Sequence, residues 1–539
     1  MAFPRRTIRL LSAGVLAGVL TSSALSAHEG GITEQVSVSS TGQGGNEISR
    51  DAAISADGRF VAFVSGATNL VPGDDNGTPD AFVRDRVLDS TERIPMPAGV
   101  TEASAVAISG DGRFVVLAAN GPEPDVSAIG THIYLHDRAA GTTQQVSVSP
   151  AGFLASYAPQ VSADGRVIAY LSMTTDGSTH HLDVLIYNRE TGQTDFANRT
   201  TSGQVLSTFF DPDFAVALSG DGRVVAFTFG AVLVPGAPAG QVFVRDTVAG
   251  TTTIASTTSS GAPSPGGHYF RPAVSADGRY VAFWSQSVLV PSDTNGMPDT
   301  YVRDRVAGTI ERVSLSNAGS ELSQGSNLGE GPAISADGRF VAFASIDSAV
   351  VPGDTNGTFD VFVRDRQAGT TERVTVAGNG AQGDDVSFGP ALSADGRTVA
   401  FTSGARNLSA AKNPSTSLDV FVHTHAGSAP VLSAIVPSIR ELWPPNGHLV
   451  NVTLAYAVTT GVGQARCEAT VGSNEPATGA TGKKSADWQV IDARTVRLKA
   501  ARSGGGSGRI YTITVRCVDD SGQAVTGTTI VTVPHDRRR

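Results

Sequence analysis

Along most of this chain apolar residues fall in short runs that return at regular intervals. Phe340-Val341-Ala342-Phe343-Ala344 is typical. In an extended strand Phe340, Ala342 and Ala344 face one way and Val341 and Phe343 the other. Both faces are apolar, so both need cover. A short apolar stretch, Pro332 to Ser335, lies before this run, separated from it by Ala336-Asp337-Gly338. Asp-Gly supplies the positive φ that a tight hairpin demands. The polar loop Val351 to Thr358 follows, and Asp360-Val361-Phe362-Val363-Arg364-Asp365 reads as a third strand. A turn at Ala368-Gly369 leads to a fourth, Thr371 to Val376. Four short strands joined by hairpins make one small sheet.

The unit repeats. Ser55-Ala56-Asp57-Gly58-Arg59 returns as SADGR or SGDGR at Ser109, Ser162, Ser219, Ser275, Ser335 and Ser393, at intervals of 54, 53, 57, 56, 60 and 58 residues. Self-similarity at a near-fixed period specifies a repeat architecture. Seven sheets of this size predict a seven-bladed β-propeller over residues 28–425, with each blade covered by its neighbours. The seventh unit ends at Val420-Phe421-Val422 without a fourth strand. Thr33 to Ser39 matches the fourth strands of other units, such as Gln144 to Ser149 and Glu311 to Ser316. Pairing that N-terminal strand with the last blade is expected to close the ring and remove an exposed edge.

Residues 1–27 read as a secretory signal: Arg5, Arg6 and Arg9, an apolar run to Leu25, and small residues at Ala24-Leu25-Ser26-Ala27. The run is too short and wrongly flanked for a membrane span. Export to the periplasm or medium is therefore expected, without membrane insertion. Loss of the three arginines moves the net charge from −10 to −13. An acidic mature protein argues against nucleic acid as a partner. Residues 426–432 read as a linker. Beyond it, in residues 433–539, alternating stretches such as Leu449 to Leu454, Thr495 to Lys499 and Ile510 to Val515 predict a β-sandwich. Cys467 and Cys517 both lie here, and their spacing of 50 suits a disulfide between two strands.

The repeat resembles the TolB-like, WD40-like family of bacterial propellers. It carries that family's S-x-D-G-R-x-V-A-F, here Ser335 to Phe343, followed by D-V-F-V-R-D, here Asp360 to Asp365. The resemblance covers about residues 33–425. It implies protein and envelope interactions, or a propeller attached to a peptidase. The family's namesake has six blades and an added N-terminal domain, so its particular role is not carried over. Leu442-Trp443-Pro444-Pro445-Asn446, Ser473-Asn474-Glu475-Pro476 and Val533-Pro534-His535-Asp536 resemble an immunoglobulin-like module at the ends of bacterial secreted proteins. That likeness implies adhesion in a loose sense.

Chain direction puts the turns after first and third strands on one rim, where they are short and stereotyped. Connections after second and fourth strands share the other rim and are long and varied. Variable loops on a rigid scaffold are where binding resides. Three of them carry an acidic pattern: Asp74-x-Asn76-Gly77-x-x-Asp80, Asp293-x-Asn295-Gly296-x-x-Asp299 and Asp354-x-Asn356-Gly357-x-x-Asp360. Alternating Asp and Asn around a Gly turn can supply the hard oxygens that calcium takes. The same residues also fit plain Asn-Gly turns with a solvated Asp. Both readings stand at this point.

Glu47, Arg50, Asp213, Arg271 and Glu330 precede the Asp-Gly turns at a distance suited to a channel mouth. The pairs His132/His136, His180/His181 and His423/His425 fall in or near third strands, away from the innermost strands. There is no Gly-x-Ser-x-Gly elbow and no His-Glu-x-x-His. The residues after Gly427 are too few and too β-rich for an α/β-hydrolase domain. The sequence thus points to an exported, non-enzymatic binding or adhesion protein whose rim takes a protein or glycan. The alternative is a polysaccharide lyase or hydrolase working in the channel.

Overall fold

The computed structural model describes residues 31–122, 129–209, 214–265, 271–326, 331–413, 417–425, 431–459, 465–475, 487–503, 508–518 and 524–535. The expected signal, Asp213, Glu330 and most of the linker lie outside these. The described residues are all-β. No helix among them is long and apolar enough to cross a membrane.

Each repeat folds where the hydrophobic pattern places it. The sixth forms antiparallel strands Ala333–Ile334, Phe340–Ser345, Asp360–Asp365 and Thr370–Arg373 in that order. Its fourth strand ends earlier than the sequence suggests, at Arg373, although Val374 still donates to the Val361 carbonyl at 3.0 Å. Repeats one, four, five and six each make a sheet of their own. Repeats two and three share one nine-stranded sheet, because their longer strands let Ala155 of Phe153–Val161 bridge Thr131 of Ile129–Asp137 in parallel.

The N-terminal strand Gly31–Gln35 pairs antiparallel with Asp419–His425, with Gln35 opposite Phe421, and completes the last repeat's sheet. It begins two residues before the expected Thr33 and ends at Gln35, after which Val36 and Ser37 both donate to the Val420 carbonyl.

The turn motif does two jobs. Within a repeat, Ser55 Oγ donates to Asp57 Oδ1 at 2.6 Å, and the Arg59 and Phe60 amides donate to Asp57 and Ser55. The other six copies make the same bonds. Between repeats, a backbone amide one or two residues after each serine links to the next turn. Ala56 donates to Gly110, Gly110 to Ala163, Ala163 to Gly220, Asp221 to Ala276, Ala276 to Ala336, Ala336 to Ala394, and Ala394 back to Ala56, all within 3.1 Å. Among the described residues no sheet closes on itself; the cycle runs between sheets.

Side chains reinforce it. The glycine of each turn has positive φ, and its missing Cβ leaves room for a side chain of a neighbouring repeat, a ring in four of the seven: Phe60 against Gly112, Phe114 against Gly165, Tyr280 against Gly338 and Phe340 against Gly396. Arg138, Arg189 and Arg366, from the same repeats as Gly112, Gly165 and Gly338, cover three of these rings at 4.4 to 4.6 Å. The turn arginine itself makes a two-point contact with the aspartate ending the third strand, as in Arg59 with Asp85 at 2.9 and 2.7 Å. In repeats three and seven that aspartate is replaced by Asn188 and Thr424, and Arg166 and Arg397 lie beside Asp164 and Asp395 instead.

In residues 431–535 a four-stranded sheet and a three-stranded sheet face one core. Val452, Leu454, Val496 and Leu498 come from the first, and Tyr511, Ile513, Val515, Val531 and Val533 from the second. Cys467 and Cys517 form the expected disulfide. It joins directly paired residues of neighbouring strands in one sheet. Closing that loop stabilises the fold by roughly 4 kcal/mol on chain-entropy grounds.

Candidate functional site

The three acidic loops share a geometry built on the third and fourth strands of their repeats. The last aspartate of each pattern, Asp80, Asp299 or Asp360, opens the third strand and is buried. The asparagine two residues into the pattern closes the turn: its Oδ1 accepts from the amide two positions on, at 3.1, 2.7 and 3.2 Å. Its Nδ2 donates to the last aspartate at 3.0, 3.2 and 2.8 Å. The first aspartate, Asp74, Asp293 or Asp354, is buried beside it.

Between the two carboxylates stands an arginine from the end of the fourth strand. Arg93 Nη1 lies 2.8 Å from Asp74 and 3.2 Å from Asp80. Arg312 Nη1 lies 3.6 Å from Asp293 and 3.2 Å from Asp299, and also bonds Glu321. Arg373 Nη1 lies 3.4 Å from Asp354 and 3.7 Å from Asp360. A guanidinium is thus the cation these carboxylates hold, at the place where the sequence reading put calcium. Burial raises the carboxyls of Asp80, Asp299 and Asp354 above the usual range and pushes Asp360 up to about 6.

The sequence reading missed these arginines, yet the signal was present. Glu-Arg occupies this place in the fourth strands of repeats one, five and six, and those alone carry the acidic loop. The equivalent residues elsewhere are Gln145, Phe196, Ile254 and Gln35. Gln35 donates to Asp419 at 3.0 Å, and Lys412 Nζ holds the other oxygen of that aspartate at 2.9 Å.

Asp293, Asp299 and Glu321 bring one carboxylate oxygen each within 4.8 Å of one another, a group that could hold a metal ion. Among the described residues no other group of three does so. Burial opposes the charge on Glu321, but bonds from Thr294 and Arg312 draw its carboxyl down to about 2. The histidine pairs assemble no such group. His423 meets Thr33, His425 meets Glu372, His136 meets Thr143, and His181 meets Asp176.

A second site lies where the first strands converge. A cavity of about 420 Å³ is lined from several repeats, including Asp51, Tyr157, Phe214, Arg271 and Phe388. Here the first strands of repeats one, three and seven are bulged, with register shifts at Arg50/Ala53, Tyr157/Gln160 and Phe388/Ala391. The bulge residues Asp51, Ala158 and Gly389 have φ of 57°, 51° and 62°. All three stand four residues before the motif serine. Bulges re-aim side chains, and left-handed backbone at non-glycine residues gathers at binding sites. Arg271 lines this cavity as the sequence suggested. Arg50 pairs with Asp51 and, with Glu47, lines an adjoining pocket of about 490 Å³.

No family model matches the chain, and no curated protein matches it. Solved structures similar to it include an oligogalacturonate lyase in complex with manganese, at 13% identity and a TM-score of 0.45, covering 70% of this chain and 90% of that one. The β-propeller domain of the Trilobed protease from Pyrococcus furiosus has 10% identity and a TM-score of 0.43, covering 70% and 97%. TolB from Acinetobacter baumannii has 15% identity and a TM-score of 0.35, covering 64% and 76%. Likeness at this level fixes neither the reaction nor the ligand.

Proposed function

We propose that this is an exported binding protein of the bacterial envelope or medium. In this reading residues 28–425 form a seven-bladed β-propeller, and residues 433–539 an immunoglobulin-like sandwich serving as spacer or attachment. The seven-membered cycle of turn hydrogen bonds supports the first assignment, and the two sheets around one core support the second. The disulfide accords with an oxidising compartment.

The observation that carries the functional reading is the cavity at the convergence of the first strands. It combines aromatic surface at Tyr157, Phe214 and Phe388 with a carboxylate at Asp51 and a guanidinium at Arg271. An apolar lining with a few fixed polar groups is the composition of a recognition site. A glycan or a protein segment supplies the matching stacking faces, hydroxyls and amides.

The test is a glycan array and a protein array probed with the mature protein and with Tyr157→Ala/Arg271→Ala. A ligand bound by the first and lost by the second supports the reading. Binding that survives both substitutions overturns the site. New reducing ends in a bound glycan would replace binding by lyase or hydrolase action in the channel.

A further inference from the structure

The second sheet of the C-terminal region consists of Arg466–Ser473, Gly508–Val518 and Ala524–Pro534 in that spatial order. Its outer strand Ala524–Pro534 pairs with Gly508–Val518 over eleven residues without a register shift. Leu432 and Ile435 pack against Gly527 near its start, but among the described residues its other side is hydrogen-bonded at one end only. There the Thr532 amide donates to Arg440 at 3.0 Å, and Leu442 donates to the Thr532 carbonyl at 2.8 Å. In a strand, residues of one parity send both backbone groups to the same side. Thr526, Thr528 and Ile530 therefore point their N–H and C=O away from the sheet, as Thr532 does. No backbone or side-chain partner reaches them among the described residues, and all three are exposed.

Natural sheets guard such edges with charge, proline or bulges. Ala524 to Val533 contains none of these. The strand at the far side of the same sheet carries Arg466 and Glu468. One edge of the sheet is thus charged and the other is open and neutral. An open edge on one side only allows pairing to stop at two, because two like edges satisfy each other about a two-fold axis.

We propose that Ala524–Pro534 is a self-association edge, where a second copy of this chain adds its own Ala524–Pro534 antiparallel. Centring the axis on Thr528 places Thr528 opposite its counterpart and Thr526 opposite Ile530. These are pairs of β-branched residues, the favourable cross-strand type, with no like charges opposed. The next outward pair would need Thr532, which Arg440 and Leu442 already hold, so the ladder ends after three pairs and its register is defined. Three pairs give about six hydrogen bonds. The interface is small, so association is weak and concentration-dependent. Salt strengthens it by screening the repulsion between two acidic chains.

The experiment is sedimentation velocity of the mature protein over a concentration series, beside Thr528→Pro and Thr529→Pro. Thr528 gives its amide to the open side, so proline there removes no bond of the folded sheet. Thr529 gives its amide to Gly508–Val518. The expected result is a monomer–dimer equilibrium in the parent protein, abolished in Thr528→Pro with its melting temperature kept. Thr529→Pro reports what loss of the sheet itself looks like. Thr528→Cys should further cross-link two copies under oxidation, while Thr512→Cys should not. A parent protein that stays monomeric at its solubility limit, or a Thr528→Pro variant that still dimerises, overturns the proposal.

Discussion

The amide of Ala394 donates to the carbonyl of Ala56 at 2.9 Å, which joins the last turn of the repeat region to the first. This bond and the pairing of Gly31–Gln35 with Asp419–His425 are separate links between the two ends of that region. Deleting residues 28–39 removes the second and leaves the first. The shortened protein should melt at a lower temperature, with the third strand of repeat seven exchanging its amides first. Unchanged melting and unchanged exchange would show that the N-terminal strand adds no closure.

At Gly338 the turn motif combines a left-handed backbone with a ring from the neighbouring repeat. Gly338 has φ of 72°, and a Cβ there would meet Tyr280 Cδ2 at 2.2 Å. Gly353 in the same repeat has φ of 85° and open space. Gly353→Ala should cost about 1–2 kcal/mol, the left-handed backbone alone. Gly338→Ala should cost about 1–3 kcal/mol more from overpacking. Urea midpoints separate the two, and equal losses would mean that the ring contact between repeats is soft.

Asp360 has a folded pKa of about 6 because burial disfavours its charge. Its unfolded value is about 3.9. The folded state therefore binds the extra proton between these values, and stability falls as pH rises from about 4 through 6. Replacement by Asn should remove a pH-dependent loss on the order of 3 kcal/mol. Unfolding free energies of parent and Asp360→Asn at pH 4 and pH 7.5 test this. Parallel pH profiles would mean that Arg373, Asn356 and Thr375 already hold the carboxylate at its ordinary value.

Arg312 stands among Asp293, Asp299 and Glu321 where a metal ion would sit. Calcium should therefore leave the melting temperature of the parent protein unchanged. Arg312→Met leaves buried carboxylates without their cation and should cost about 3–5 kcal/mol. Calcium should then restore part of that loss. A calcium-dependent rise in the parent protein would show instead that the ion displaces the guanidinium.

The repeats were legible because their signals are local: Asp-Gly turns, strands apolar on both faces, and a fixed interval. The acidic loops were legible as a pattern but not as an arrangement. Their counter-ions Arg93, Arg312 and Arg373 come from another strand, and only comparison among the repeats reveals that arginine and loop occur together. The left-handed backbone at Asp51 and Ala158 had no signal at all. Ser-Arg-Asp-Ala-Ala reads as an ordinary strand, and the bulge arises only where several first strands converge. The joining of repeats two and three was equally hidden. It follows from strands of nine residues, such as Phe114–Pro122 and Val167–Thr175, where most other repeats have six.

Within the repeat region, the strand Gly31–Gln35 is synthesised before all the others and its partner, Asp419–His425, after all the others. Every other repeat can pair its four strands as soon as its own fourth strand emerges. The seventh is completed by a segment that has stood unpaired through the synthesis and passage of the whole repeat region. During that interval the N-terminal strand is a target for proteases and for the open edges of unfinished neighbours. Closure of the repeat region therefore depends on how quickly its earliest strand meets its latest.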